Sequence, residues 1–164
     1  MSELTAGWDN FFIATAGAAG ALVGLVVVAI SVNIKRIIEY STLPSRAAAT
    51  VGSLVLLLVI ACFSLFPRQG DIAFGVEILA AVTIALVLQY VMVARLVQQV
   101  PPRPAFENAY KIALGFGQIA PFIPGGILIA TGSAAGMYWI AVGFVAVFVT
   151  SMITVWVLLV EIQR

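Results

Sequence analysis

One glutamate, two glutamines and two prolines are the residues with which this sequence could do chemistry in apolar surroundings. Glu77, Gln89, Gln118, Pro121 and Pro124 all lie within or beside long runs of apolar residues. Proline brings no amide proton, so in a helix through residues 110–130 the carbonyls near residues 117 and 120 lose their usual partners. Carbonyl oxygens freed at membrane depth must be buried in protein or face a wet cavity. With the Gln118 side chain they could coordinate an ion or a small polar solute, and Gln89, at a similar depth, could join them. The structural alternative is a helix merely kinked inside a bundle. Glu77 lies about one turn from the end of its run. There, snorkelling or pairing with Arg68 accounts for it, and a cation-attracting or proton-relay carboxylate is the functional alternative. Glu77 and Gln89 are separated by about 120° around an ideal helix, so they form no polar track along one face.

Much other chemistry is excluded. The chain has no histidine and one cysteine, Cys62. It can build no Cys/His zinc site, histidine base, Cys-held iron–sulfur cluster or intrachain disulfide. Thr150, Ser151 and Thr154 make a small hydroxyl patch, but no histidine is present to activate a serine and no Ser-xx-Lys pair occurs. Hydrogen bonds to a neighbouring helix, or back to their own, are the default for such groups. Glu77 and a few loop residues form no catalytic constellation, so the expectation is a non-enzymatic protein without cofactor, resident metal or nucleic-acid partner.

The elements that must position these residues follow from composition. Of 164 residues, 63% are hydrophobic and 9% charged, where a soluble domain carries about 25% charged residues. The surrounding solvent must be largely lipid. A span needs roughly 20 apolar residues, and the runs predict an all-α integral membrane helical bundle forming a single domain. Its five transmembrane helices are expected at about residues 11–34, 47–66, 73–97, 110–130 and 137–160. The uncharged stretch from Ile112 to Val160 would make one helix of roughly 74 Å, more than twice the bilayer, so it must fold back. A turn at Thr131–Gly136 leaves two spans of adequate length. A turn at Pro121–Gly126 would leave only about ten residues before it, too few to cross. Four spans plus a re-entrant segment around Pro121–Gly126 is the rival arrangement.

Charge placement tests the count. Five spans gather Lys35, Arg36, Arg46, Arg95, Arg103, Lys111 and Arg164 on one face, leaving only Arg68 of the eight cations on the other. The positive-inside rule makes that face cytoplasmic, so the N-terminus is outside and the C-terminus inside. Trp8, Phe11, Tyr138 and Trp139 then mark the outer interface, and Tyr40 and Tyr110 the inner one. The acidic N-terminal segment and long first run do not read as a cleavable signal peptide. The cationic loops can attract anionic lipid.

The first helix has the clearest pattern. Gly17, Ala21, Gly24, Val28 and Ser31 follow alternating spacings of four and three, and Gly20 with Gly24 forms a small-xxx-small motif that lets backbones approach closely. This stripe reads as helix packing within or between subunits, or as the wall of a narrow oligomeric pore. The stretch Trp8-Asp-Asn-Phe-Phe12, then Ala16-Gly-Ala-Ala-Gly-Ala-Leu-Val-Gly-Leu25 and Ala29-Ile-Ser-Val-Asn33, resembles small bacterial multi-span membrane proteins, some labelled modulators of the membrane-bound FtsH protease. Leu43-Pro-Ser-Arg-Ala47, leading into a span that ends near Pro67, fits the same resemblance, which covers about the first 75 residues. It implies a multi-pass protein of the bacterial plasma membrane with a regulatory partner, and supplies no catalytic or ligand residues. Two functions follow as expectations. One is an accessory or regulatory subunit that packs on a larger membrane complex or on itself. The other is a small homo-oligomeric channel or transporter for an ion or small polar solute.

Overall fold

A computed structural model describes residues 4–5, 7–32, 34, 43–99 and 115–160, with the side chains of 43, 45, 46, 95–99 and 158–160 left aside. Among these residues the fold is helical without strands. The helices are α1 (Asp9–Val32), α2 (Leu43–Ser64), α3 (Asp71–Gln99), α4 (Phe122–Ala130) and α5 (Ala135–Val160). Helices α1, α2, α3 and α5 are long and apolar enough to cross a membrane. The fourth expected span differs. The apolar segment Gly115–Ala130 is shorter, and its helical turn at Gly115–Gly117 is separated by turns from α4 proper. Residues 110–114, its expected start, lie outside the described residues.

Consecutive helices pack side by side, and α5 closes the bundle against both α1 and α2. Helix α2 is therefore the central strut: 50% of its apolar window is buried, against 17% for α1 and for α3. Calling the end that carries the start of α1 the upper end, α1, α3 and α5 run downward and α2 and α4 upward. Helix ends obey local chemistry. Asp9 and Asp71 stand in the first turns of α1 and α3, where the helix dipole favours negative charge. Helix α2 gives way to Pro67, and Arg68 takes a left-handed φ of 59° in the loop to α3. Helix α4 ends on Gly132, at φ +81°, which supplies the left-handed residue of a C-terminal cap. The Ser133 amide reaches back to the Leu128 carbonyl at 2.8 Å and the Gly132 amide to that of Ile129 at 2.9 Å. The fold-back therefore falls within Thr131–Gly136, as the run lengths require.

The upper half of the core is aromatic. Phe144 of α5 meets Phe11 and Phe12 of α1 at ring-centroid distances of 5.5 and 6.0 Å, and Phe122 of α4 at 5.9 Å. Phe12 also meets Phe74 of α3 at 6.4 Å. All are edge-type contacts, the arrangement that the ring quadrupole prefers. Above them Trp8 stands against Tyr138 at 5.3 Å, so these two expected interface aromatics form a pair.

Glycines set the packing distances around α4. A Cβ on Gly75 of α3 would lie 2.6 Å from the Ala130 amide nitrogen and 2.7 Å from the Gly126 carbonyl oxygen. On the other side, a Cβ on Gly136 would lie 2.7 Å from the Gly125 carbonyl oxygen, and one on Gly143 would fall 2.6 Å from the Phe122 ring. Backbone atoms cannot swing aside as a flexible side chain can. Gly75→Ala and Gly136→Ala are therefore expected to destabilise the bundle by about 1–3 kcal/mol each, the usual cost of overpacking. Gly24→Ala, with nothing within 4 Å of its Cβ position, should be neutral or gain up to about 1 kcal/mol of helix propensity. Unfolding in mild detergent, followed by circular dichroism, separates the two outcomes.

Candidate functional site

The two prolines break the fourth segment in a defined way. Pro121 cannot donate to the Gly117 carbonyl, and Pro124 cannot donate to that of Ala120. The chain responds with tighter turns. The Ile119 and Ala120 amides both donate to the Phe116 carbonyl at 3.1 Å, and the Phe122 amide donates to Ile119 at 3.1 Å. The Ile123 amide donates to the Ala120 carbonyl at 3.2 Å, so that carbonyl is not freed, contrary to the simplest reading of the prolines. Pro121 and Pro124 are both half-buried. Over residues 115–130 the segment runs one way, from Gly115 against Gln89 up to Ala130 against Gly75. Over these residues it is kinked and does not turn back on itself.

Two amide side chains lie in the interior beside the broken segment. Gln118 is buried and donates from Nε2 to Ser53 Oγ of α2 at 3.0 Å. Ser53 in turn donates to the Ala49 carbonyl at 3.1 Å. Gln89 of α3 is buried with its amide over Gly115, where a Cβ would collide with Nε2. The expected pair thus occupies one region, but the partner of Gln118 is Ser53.

Three further polar side chains belong to this region. The contacts Gly125 with Ile140, Phe122 with Gly143 and Ile129 with Gly136 set an antiparallel register between α4 and α5. Continued downward past the kink, it brings Ser151 close to the level of Gly115. The Gln118–Ser53 bond and the Gly115–Gln89 contact set the other registers, and they bring Thr50 and Gln89 to the level of residue 115. Thr50, Ser53, Gln89, Gln118 and Ser151, all buried, therefore lie within about one and a half helical turns of one another in depth, on three helices and the turn before α4. No acidic or basic residue is among them. Below the phenylalanine cluster the bundle carries a neutral polar layer.

Ser151 stands out within it. Thr150 returns its proton to the Ala146 carbonyl at 2.6 Å and Thr154 returns its proton to the Thr150 carbonyl at 3.0 Å. Ser31, Thr15 and Thr83 make the same kind of backbone bond. Ser151, 2% exposed, leaves its Oγ without a partner. A buried hydroxyl left unpaired costs about 1–3 kcal/mol. The other unpartnered buried oxygen among the described residues is Asp71 Oδ1, which sits in the first turn of α3 where the helix dipole favours it.

The remaining expected site residues fall elsewhere. Glu77, half-buried near the upper end, accepts a hydrogen bond from the Gln69 side-chain amide, so its partner is Gln69 and not Arg68. It is remote in depth from the polar layer, as the spacing along α3 requires. Gly17, Gly20, Ala21, Gly24 and Ser31 are all exposed. Helix α1 packs on the bundle through Phe12, Ala19, Val26 and Ala29 instead, and no atom lies within 4 Å of a Cβ position on Gly17, Gly20 or Gly24. Among the described residues the stripe thus takes no part in packing. Of the orientation residues, Lys35, Arg36, Arg103 and Lys111 lie outside the described residues, as do the side chains of Arg46 and Arg95. Among the described residues no group of three or more His, Cys, Asp or Glu could hold a metal ion.

Sequence reasoning passed over Ser53 and Thr50. Their only signal is a spacing of three in a leucine-rich helix, which puts two hydroxyls on one face. The fold and its polar layer define an apolar helical bundle with a neutral buried site. Compared with known protein families, with curated proteins and with solved structures, the chain matches none.

If the Gln118–Ser53 bond holds α4 to α2, Ser53→Ala and Gln118→Leu should couple in a double-mutant cycle by about 0.6–1.7 kcal/mol, the range for interhelical hydrogen bonds in membrane bundles. Strict additivity of the two substitutions in detergent unfolding would show the bond to be absent.

Proposed function

We propose that this chain is a non-enzymatic accessory or regulatory subunit of a bacterial plasma membrane. On this reading it crosses the membrane five times, with its N-terminus outside and its C-terminus inside, and docks through α1 on a partner complex or on a second copy of itself. The observation that carries the reading is the direction of the small-residue stripe. Gly17, Gly20, Ala21, Gly24 and Ser31 face away from the bundle, over open space, while a separate seam of α1 does the packing at home. In lipid, helix association is driven by close van der Waals contact, for which small residues are suited. Five apolar segments support the count, and seven cations on one side of a five-span path support the orientation. The resemblance of the first 75 or so residues to labelled protease modulators supports a membrane protease as one partner class.

The test is cross-linking in native membranes. With Cys62→Ala as background, Gly20→Cys is expected to form a disulfide-linked dimer or an adduct with a partner on mild oxidation. Adding Gly24→Leu should abolish the product without altering thermal unfolding. A protein that stays monomeric and unlinked in membranes and in mild detergent sinks the proposal.

The neutral polar layer favours a second reading, a small homo-oligomeric channel or transporter. Purified protein in liposomes should then pass an ion or a small polar solute, and Gln118→Leu should change that flux at least several-fold. Vesicles inert to common ions and small polar solutes would remove this reading and leave the first untouched.

A further inference from the structure

Ser151 has an easy alternative that it does not take. A serine in a helix can return its proton to the carbonyl four residues earlier, and Thr150 and Thr154, its neighbours on α5, do so. Ser151 instead stands on the buried face of α5 in line with Phe144, Val147 and Val155, with its Oγ unpartnered. The register of α5 against α4, carried down past the kink, puts that hydroxyl close to the level of Gly115, over which the Gln89 amide lies. Thr50 is at the same height, and the Gln118–Ser53 bond is one turn above. The kink at Pro121 adds a carbonyl, that of Gly117, to which residue 121 brings no amide proton.

The chemistry of this set restricts what it can hold. Hydroxyls and carboxamides both donate and accept hydrogen bonds, and among the described residues the layer has no carboxylate or cation to compensate a buried charge. A charged guest in such a place would have neutral dipoles alone to offset its lost hydration. A neutral guest with both donors and acceptors would satisfy Ser151 without leaving any charge uncompensated. Buried polar groups that find no protein partner are the places where internal waters sit, held by about three hydrogen bonds.

We propose that the layer formed by Ser151, Gln89, Thr50 and the Gln118–Ser53 pair is a binding site for a small uncharged molecule that both donates and accepts hydrogen bonds, water being the smallest of that class. The site is independent of the outward face of α1, so it stands or falls apart from the docking role proposed above.

The full-length protein in mild detergent supplies the test through its thermal unfolding midpoint. If a guest bridges Ser151 to the layer, Ser151→Ala removes one of its anchors and should lower Tm by about 2–4 °C. Thr150→Ala, which removes a hydroxyl bonded only to its own helix, should leave Tm within about 1 °C. If the site is dry, Ser151→Ala removes an unsatisfied group and introduces a better helix former, so Tm stays level or rises. That result overturns the proposal. Titration with acetamide or ethylene glycol distinguishes the sources. A rise in Tm in the wild type that is lost in Ser151→Ala assigns the site to a small amide or polyol. The Ser151→Ala deficit without any response to either probe assigns it to water.

Discussion

Backbones that meet with no side chain between them hold this bundle in its shape. The nine-residue α4 is too short to bury much side-chain surface alone, yet it sits between two long helices. It does so because Gly126 and Gly75 let it approach α3, while Gly125, Gly136 and Gly143 let it approach α5. Each contact brings main-chain atoms within reach of dispersion forces that a methyl group would block. Everything at the kink depends on this closeness. Only a segment clamped on both faces can carry two prolines and tightened turns without splaying away from its neighbours. Interior glycines cost helix stability, about 0.8–1 kcal/mol each relative to alanine. Their value here is geometric.

The same closeness divides the interior in two. Above the kink, Phe12, Phe74, Phe122 and Phe144 fill the space between four helices with interlocking rings. Below it, hydroxyl and amide side chains share the interior with apolar ones such as Val26, Ala29, Ala47 and Val155. The division follows from hydrogen bonding. A continuous helix satisfies its own backbone and can be surrounded by hydrocarbon groups. A helix broken at Pro121 leaves the Gly117 carbonyl without the amide proton that residue 121 would otherwise bring. Gln118 ties the broken segment to α2 through Ser53. A fully satisfied polar network rigidifies a core, and an incompletely satisfied one invites a guest. Ser151 is where this network remains incomplete.

How much of this was legible in the residues depended on the range of the interaction. The four long helices could be read because hydropathy is summed over many residues. The fold-back at Thr131–Gly136 could be read because length excluded the other turn. The break before α4 was legible because proline acts locally. Its consequence for Ala120 was not, since the carbonyl found a donor one residue nearer, at Ile123. The partner of Gln118 lay beyond reach, because Ser53 is 65 residues away and nothing in the spacing of either helix names the other. Glu77 shows the same limit at short range. A charge argument selects Arg68, but the left-handed turn at Arg68 accompanies a loop that presents Gln69 instead. The α1 stripe was legible as a surface for close approach. Its outward direction was not, because a small-xxx-small spacing specifies closeness without specifying to what.

That direction bears on what kind of protein this is. A helix has a limited circumference, and α1 uses its own differently on each side. The seam of Phe12, Ala19 and Val26 repeats every seven residues, the period of a helix packing along a neighbour. The remaining face carries glycines, which favour neither isolated helix stability nor burial against this bundle. Leucine or valine there would have been the better choice for a helix that only met lipid, because glycine costs propensity and offers lipid no more than other apolar groups do. A face assembled from costly residues and exposed among the described residues is what the proposed docking through α1 rests on. The inward polar layer follows the opposite logic, for its groups are costly unless they are paired within the bundle. The proposed contact at the surface and the hydrogen bonding in the interior thus involve different residues.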